Sequence, residues 1–121
     1  MLPVMHKARI RRGIKPSWEP LIGLVGQDLV PGFMWMFALE LDDGTEVHGY
    51  KSAATRQYLH LALDGRAYAV RGDNSYDEIT AAAALAHVFD GWEDAFPQPK
   101  DPEAVRALLE RHRSVTSQEM H

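Results

Sequence analysis

Apolar and polar residues are not spread evenly along the chain, and their spacing changes character several times. Residues 20–32 are apolar but broken by Gly23, Gly26, Pro31 and Gly32, which leaves room for a short strand around Leu21–Val25. From Phe33 to Leu41 the run is aromatic-rich and almost without polar positions, the pattern of a strand covered on both faces. Asp42-Asp43-Gly44 separates it from a second run over Thr45–Lys51. A three-residue connection with glycine last suits a type I turn followed by a left-handed bulge residue. That register sets Leu39 opposite Val47, Ala38 opposite His48 and Met36 opposite Tyr50. A two-residue turn would instead place Glu40 against Val47, a charge against a core residue.

A second hairpin follows. Gln57–Leu63 and Arg66–Arg71 flank Asp64-Gly65, a type I′ signature that pairs Leu63 with Arg66, Leu61 with Tyr68 and Leu59 with Val70. Ser75-Tyr76-Asp77-Glu78 has the spacing of a capping box, and Ile79, Ala82, Ala83, Ala86 and Phe89 continue at helical intervals until Gly91. Asp101-Pro102 opens another helix, with Val105, Leu108, Leu109 and His112 as its apolar stripe and Arg106 within reach of Glu110.

These elements predict an α+β fold, an antiparallel sheet of at least four strands in two consecutive hairpins, with two C-terminal helices packed on one face. The face bearing Trp35, Phe37, Leu39, Val47, Leu59, Leu61, Tyr68 and Val70 is the expected floor for the helices. At 121 residues the chain suits one domain, assigned to residues 20–113, with a basic N-terminal arm over 1–19 and a frayed tail over 114–121.

Charge adds one feature to this pattern. Lys7, Arg9, Arg11, Arg12 and Lys15 all precede the first acid, Glu19, although the whole chain carries a net charge of −4. The basic segment could meet nucleic-acid phosphates or lie against the chain's own acidic body. The second reading is preferred, because an acidic body repels nucleic acid and no aromatic residue is interleaved for base stacking. The chain has no cysteine, which excludes disulfides, thiol nucleophiles and thiolate metal sites and fits a cytoplasmic setting. No apolar run has the length needed to span a bilayer, and the first residues lack the apolar core of a secretory signal.

Candidate chemistry gathers on the sheet face away from the expected helices. Met36, Glu40, Glu46, His48, Tyr50, Tyr58, His60 and Arg71 fall there, together with Met34, Ala38, Ala62, Ala67 and Ala69. A solvated face would be dominated by Lys, Glu, Thr and Ser. This one suggests cover by residues 17–32 or by a second copy, or a cleft in which Met and Tyr supply apolar contact and His and Glu supply polar handles. A metal set of His48, His60 and Glu46 is the least favoured option, since strand histidines are more often hydrogen-bonded structure. Lys51, Ser52, Thr55 and Arg56 form a compact stretch suited to an anion, although an ordinary surface connection explains them as well.

Other motifs carry less. Asp73, Ser75 and Asp77 imitate the start of a calcium loop, but Ala84 stands where the bidentate acid is required. There is no phosphate loop and no nucleophile elbow. Trp92 and Phe96 read as plugs between the helices rather than as a docking anchor. No cofactor is called for. The reading favoured by sequence is a non-catalytic binding or regulatory module acting on a protein partner or on itself as a homodimer. A small-ligand or metal-dependent enzyme centred on His48 and His60 is the alternative, and nucleic-acid binding through the basic arm a further one.

Overall fold

Two strands that local pattern does not announce turn the expected open sheet into a closed barrel. The computed structural model describes residues 5–119, with side chains described through Arg113. The strands are β1 (Met5–Arg11), β2 (Phe33–Leu41), β3 (Glu46–Ser52), β4 (Tyr58–Ala62), β5 (Ala67–Gly72) and β6 (Ser75–Ile79). Each pairs antiparallel with the next, and β1 pairs with β6 to close the ring. The helices are α1 (Glu19–Val25), α2 (Ala81–Val88) and α3 (Pro102–Glu119). The antiparallel sheet and the α+β mix stand as expected, while the open sheet gives way to a six-stranded barrel.

The opening basic segment is part of that barrel. Its alternation places Lys7, Arg9 and Arg11 on one side and His6, Ala8 and Ile10 on the other, which is the period of a strand. Residues 5–11 of the proposed arm are therefore integral to the fold. Residues 21–25, expected as strand, are helical. Pro20 sits in the first turn, Leu21 and Val25 are buried four residues apart, and Gly26 ends the helix at a φ of 86°.

The capping box at Ser75–Glu78 is not one. Those residues are β6, and the helix starts later, where the Thr80 hydroxyl accepts the Ala83 N–H at 3.1 Å. A strand that can ladder with neighbours on both sides gains more than one extra helical turn, so tertiary pairing outweighs the local signal. The Asp101 cap is as expected, its carboxylate accepting the Ala104 N–H at 3.0 Å. Arg106 pairs with Glu103 rather than Glu110. The backbone of α3 continues through Glu119, across most of the segment expected to fray, and the last two residues lie outside the described ones.

The first hairpin has the expected three-residue turn, with Leu39 opposite Val47, Ala38 opposite His48 and Gly44 at a φ of 88°. Met36 does not face Tyr50. A bulge there makes Trp35 the partner of Tyr50 and Phe37 the partner of Gly49. The second hairpin is one residue off the expected register. Ala62 donates its N–H to the Arg66 carbonyl at 2.8 Å, so Leu63-Asp64-Gly65 is a three-residue loop and Leu61 faces Ala67. A one-residue slip exchanges the faces of a strand, and Tyr68 and Val70 thereby join His60.

Two cores result. Leu39, Leu41, Val47, Ala62, Tyr68 and Tyr76 fill the barrel, with Ala8 and Phe37 against them. Outward-facing Tyr50, Leu59, Leu61 and Ala67 cluster with Leu21 and Val25 of α1, Leu85 and Val88 of α2, and Val105 and Leu108 of α3. Trp92 is buried in this second core, whereas Phe96 stands in solvent, 95% exposed. Among the described residues no helix is long and apolar enough to cross a membrane.

Candidate functional site

The β4–β5 seam is the weak join of the barrel. Its ladder holds two residue pairs, His60 with Tyr68 and Leu61 with Ala67. Beyond them Tyr58 and Leu59 pair only with β3, and Ala69 and Val70 only with β6. Where the strands part, a cleft of about 640 Å³ opens between them. That size lies within the ordinary range for small-molecule sites. Because the gap passes through the sheet, both faces line it. Phe37, Tyr58, His60, Tyr68, Val70 and Tyr76 come from the barrel side, and Leu59, Ala69 and Ile79 from the outer side. Ala83, Ala84 and His87 reach it from one face of α2, and Gln57 completes the lining.

His60 is the polar centre of this cleft and is 6% exposed. Its ring lies 5.8 Å from that of Phe37, 5.9 Å from Tyr58 and 5.1 Å from Tyr76, centroid to centroid. Burial, and then the nearby His87, push its pKa down to about 4. At neutral pH it is an uncharged imidazole, able to donate one hydrogen bond and accept one. Burial also raises the Tyr76 hydroxyl above its usual range.

The eight residues expected on one face are divided. His48 pairs with Leu61 and His60 with Gly49, so the two imidazoles point to opposite faces of the sheet. The set His48, His60 and Glu46 is not brought together. His48 is fully buried, and both of its nitrogens are engaged. The indole N–H of Trp35 donates to Nδ1 at 2.8 Å, and Nε2 lies 2.8 Å from a Glu46 oxygen. Since indole can only donate, the proton of His48 sits on Nε2, which donates a hydrogen bond to the Glu46 carboxylate. Neither nitrogen is left for a metal or a substrate proton.

Glu40 and Glu46 face each other across the first hairpin, as expected. The basic strand supplies the counter-charge, with Arg9 and Arg11 reaching Glu40 at 3.1 and 3.0 Å. The Arg9 hydrogen bond chiefly holds the Glu40 carboxyl below its usual range. These bases are thus engaged with the chain's own acids. Tyr50 is buried on the outer face, where its hydroxyl donates to the Ser17 carbonyl. Met36 is exposed at the bulge, and Arg71 lies 3.5 Å from Asp77.

The anion candidates turn inward. Ser52 is buried and its hydroxyl accepts the Thr55 N–H, the Thr55 hydroxyl donates to the Val88 carbonyl, and Arg56 takes a positive φ of 64°. Lys51 lies over the Tyr58 ring at 5.8 Å. Among the described residues the grouping with metal-ligand spacing is instead His6, Asp42 and Asp43, whose ligand atoms lie within 4.8 Å. It is exposed on the acid side and its carboxylates are already bonded, Asp42 to the Lys7 N–H and Asp43 to the Thr45 N–H.

Of the cleft, sequence singled out Tyr58 and His60 as candidate site residues. The spacing of Ser75–Glu78 disguises Tyr76 as part of a capping box, the local registers put Phe37, Tyr68 and Val70 on the opposite face, and His87 carries no signal beyond its place on a helix. The recoverable signal was the alternation His6-x-Ala8-x-Ile10, which marks β1 as a strand and calls for a closing partner. Searches against protein families, characterised proteins and solved structures find no match for this chain.

Proposed function

We propose that the protein is a non-catalytic binding module whose ligand is a small planar molecule held in the β4–β5 cleft. The observation that carries this reading is the parting of β4 from β5 beside a wall of rings, Phe37, Tyr58, His60 and Tyr76, faced by the small side chains Ala83 and Ala84. Aromatic walls with few polar groups suit flat apolar ligands. The pair of buried His48 with half-buried Glu46 is closed off by Trp35 and supports structure rather than turnover. The expected partner, a protein or a second copy, is thereby replaced with a small molecule.

The test is a set of planar aromatic fragments titrated into ¹⁵N-labelled protein. Ligands of the cleft shift the amides of residues 57–60, 68–70 and 83–87 together. Ala83 is exposed and lines the cleft, so Ala83→Phe blocks entry while leaving the fold intact. Loss of binding in that variant supports the reading. Fragments that leave these amides unmoved, or bind Ala83→Phe equally well, overturn it.

A further inference from the structure

We infer that the ligand of this cleft is an aromatic carboxylic acid, its ring against Phe37, Tyr58 and Tyr76 and its carboxylate against the imidazoles of His60 and His87. This inference rests on the cleft being the ligand site.

The charge around the cleft argues for it. The chain holds 17 acids against 13 Lys and Arg, yet among the described residues no Asp or Glu lines the cleft. Its polar lining consists of two imidazoles, three phenols and the Gln57 amide, all able to donate a hydrogen bond. The charged groups on the packed elements are Lys51, Asp77 and Glu78, with Asp43 and Asp64 acting on Tyr68 from the hairpin turns; one oxygen of Asp77 is buried without a hydrogen-bond partner. From β3, Lys51 stands over the Tyr58 ring at 5.8 Å. On β6, Asp77 lies 3.5 Å from Arg71 and Glu78 lies 3.8 Å from Arg66. An organic cation would enter with no counter-charge on the lining, at a cost that grows with desolvation. A carboxylate would meet donors and two groups able to become cations.

The same lining argues against phosphate. Dianionic groups are held by Arg, Lys or convergent backbone N–H groups, and the described residues of the cleft wall include neither guanidinium nor ammonium. A monoanion matches what the two histidines can balance. In the free protein His60 resists protonation, chiefly because burial disfavours its charged form and then because His87 lies nearby. A bound carboxylate supplies the opposite charge, so binding takes up a proton in mildly acidic solution.

The experiment compares 2-naphthoate, 2-naphthamide and 2-naphthylmethylamine on the full chain at pH 6, by calorimetry and by the amide shifts described above. The acid is expected to bind at least tenfold more tightly than the amide, with the amine weakest. His87→Gln, an exposed substitution, should lower affinity for the acid several-fold and leave the amide unchanged. His60→Phe should remove the proton uptake seen on binding the acid. Equal affinity of acid and amide at the cleft, tighter binding of the amine, or an acid preference that survives both substitutions overturns the inference while the cleft remains the site. If none of the three moves the cleft amides, the site assignment itself fails.

Discussion

Gly49 is the position where the barrel has no spare space, and adding one methyl group there tests the packing described above. A Cβ at residue 49 would lie 2.5 Å from Cε1 and 2.6 Å from Cζ of Phe37. Carbon atoms in contact settle at about 3.5–4.0 Å, so the ring has to retreat by roughly 1 Å. It is flanked by Tyr58 at 6.0 Å and His60 at 5.8 Å, and those rings must adjust with it. Overpacking of this kind costs about 1–3 kcal/mol. The backbone at Gly49 is not in the left-handed region, so alanine also removes unfolded-state freedom and returns about 0.4–1 kcal/mol. The expected net loss for Gly49→Ala is about 1–2 kcal/mol, read from urea unfolding. Phe37→Leu withdraws the ring edge, and the double variant should recover about 1 kcal/mol relative to the sum of the single changes. Additivity within about 0.5 kcal/mol would refute the argument, because it would mean that the methyl group and the ring never meet.

Two further outcomes follow from the histidines. Trp35→Phe strips the indole donor from Nδ1 of fully buried His48 and should destabilise the protein by about 1–3 kcal/mol; it should also disturb the imidazole ¹⁵N signature of the Nε2–H form, and unchanged stability with an unchanged spectrum would contradict the bonding described. His60 titrates near 4 when folded against 6.5 in the free side chain, so below pH 6.5 the unfolded chain binds a proton that the folded chain refuses. Its contribution is therefore intact above pH 6.5, falls as the pH drops towards 4, and amounts to a loss on the order of 3 kcal/mol across that window. Urea unfolding from pH 7 to 4.5 should show a shallower decline for His60→Phe than for the parent protein, and parallel curves would refute the shift.

The legible parts of the fold are those set by near neighbours. Asp42-Asp43-Gly44 declared its turn because only one loop length kept Glu40 away from Val47. At Asp64-Gly65 two loop lengths both kept apolar residues in phase. The structure puts Leu63 in the loop, 53% exposed, to gain the Ala62–Arg66 bond. Met36 bulges out of β2, a slip that no local pattern marks. The face assignments depended on these registers, and a single-residue error in the second hairpin was enough to give His60 the wrong companions. Closure of the barrel was illegible for a different reason. It joins two segments far apart in sequence, one disguised by its bases and the other by its resemblance to a helix start. The cleft joins Phe37 of β2 and Tyr76 of β6 to Tyr58 and His60 of β4, so its chemistry shows in Tyr58 and His60 while its shape does not.

The union of β1 with β6 also sets an order of assembly. Strands β2 to β6 follow one another through short connections, and each can zip onto the last with little chain to gather. Met5 meets Asp77 across about seventy intervening residues, and Ala8 meets Leu41 from the other side. Loop-closure entropy grows with separation, and folding slows as distant pairings dominate. The first strand made is thus the last to find its place, and until it docks, Leu39, Leu41 and Tyr76 lack a wall. Tyr76, the partner of His6 in that last pairing, belongs to the cleft as well as to the barrel interior, so docking of the first strand also fixes one wall of the cleft.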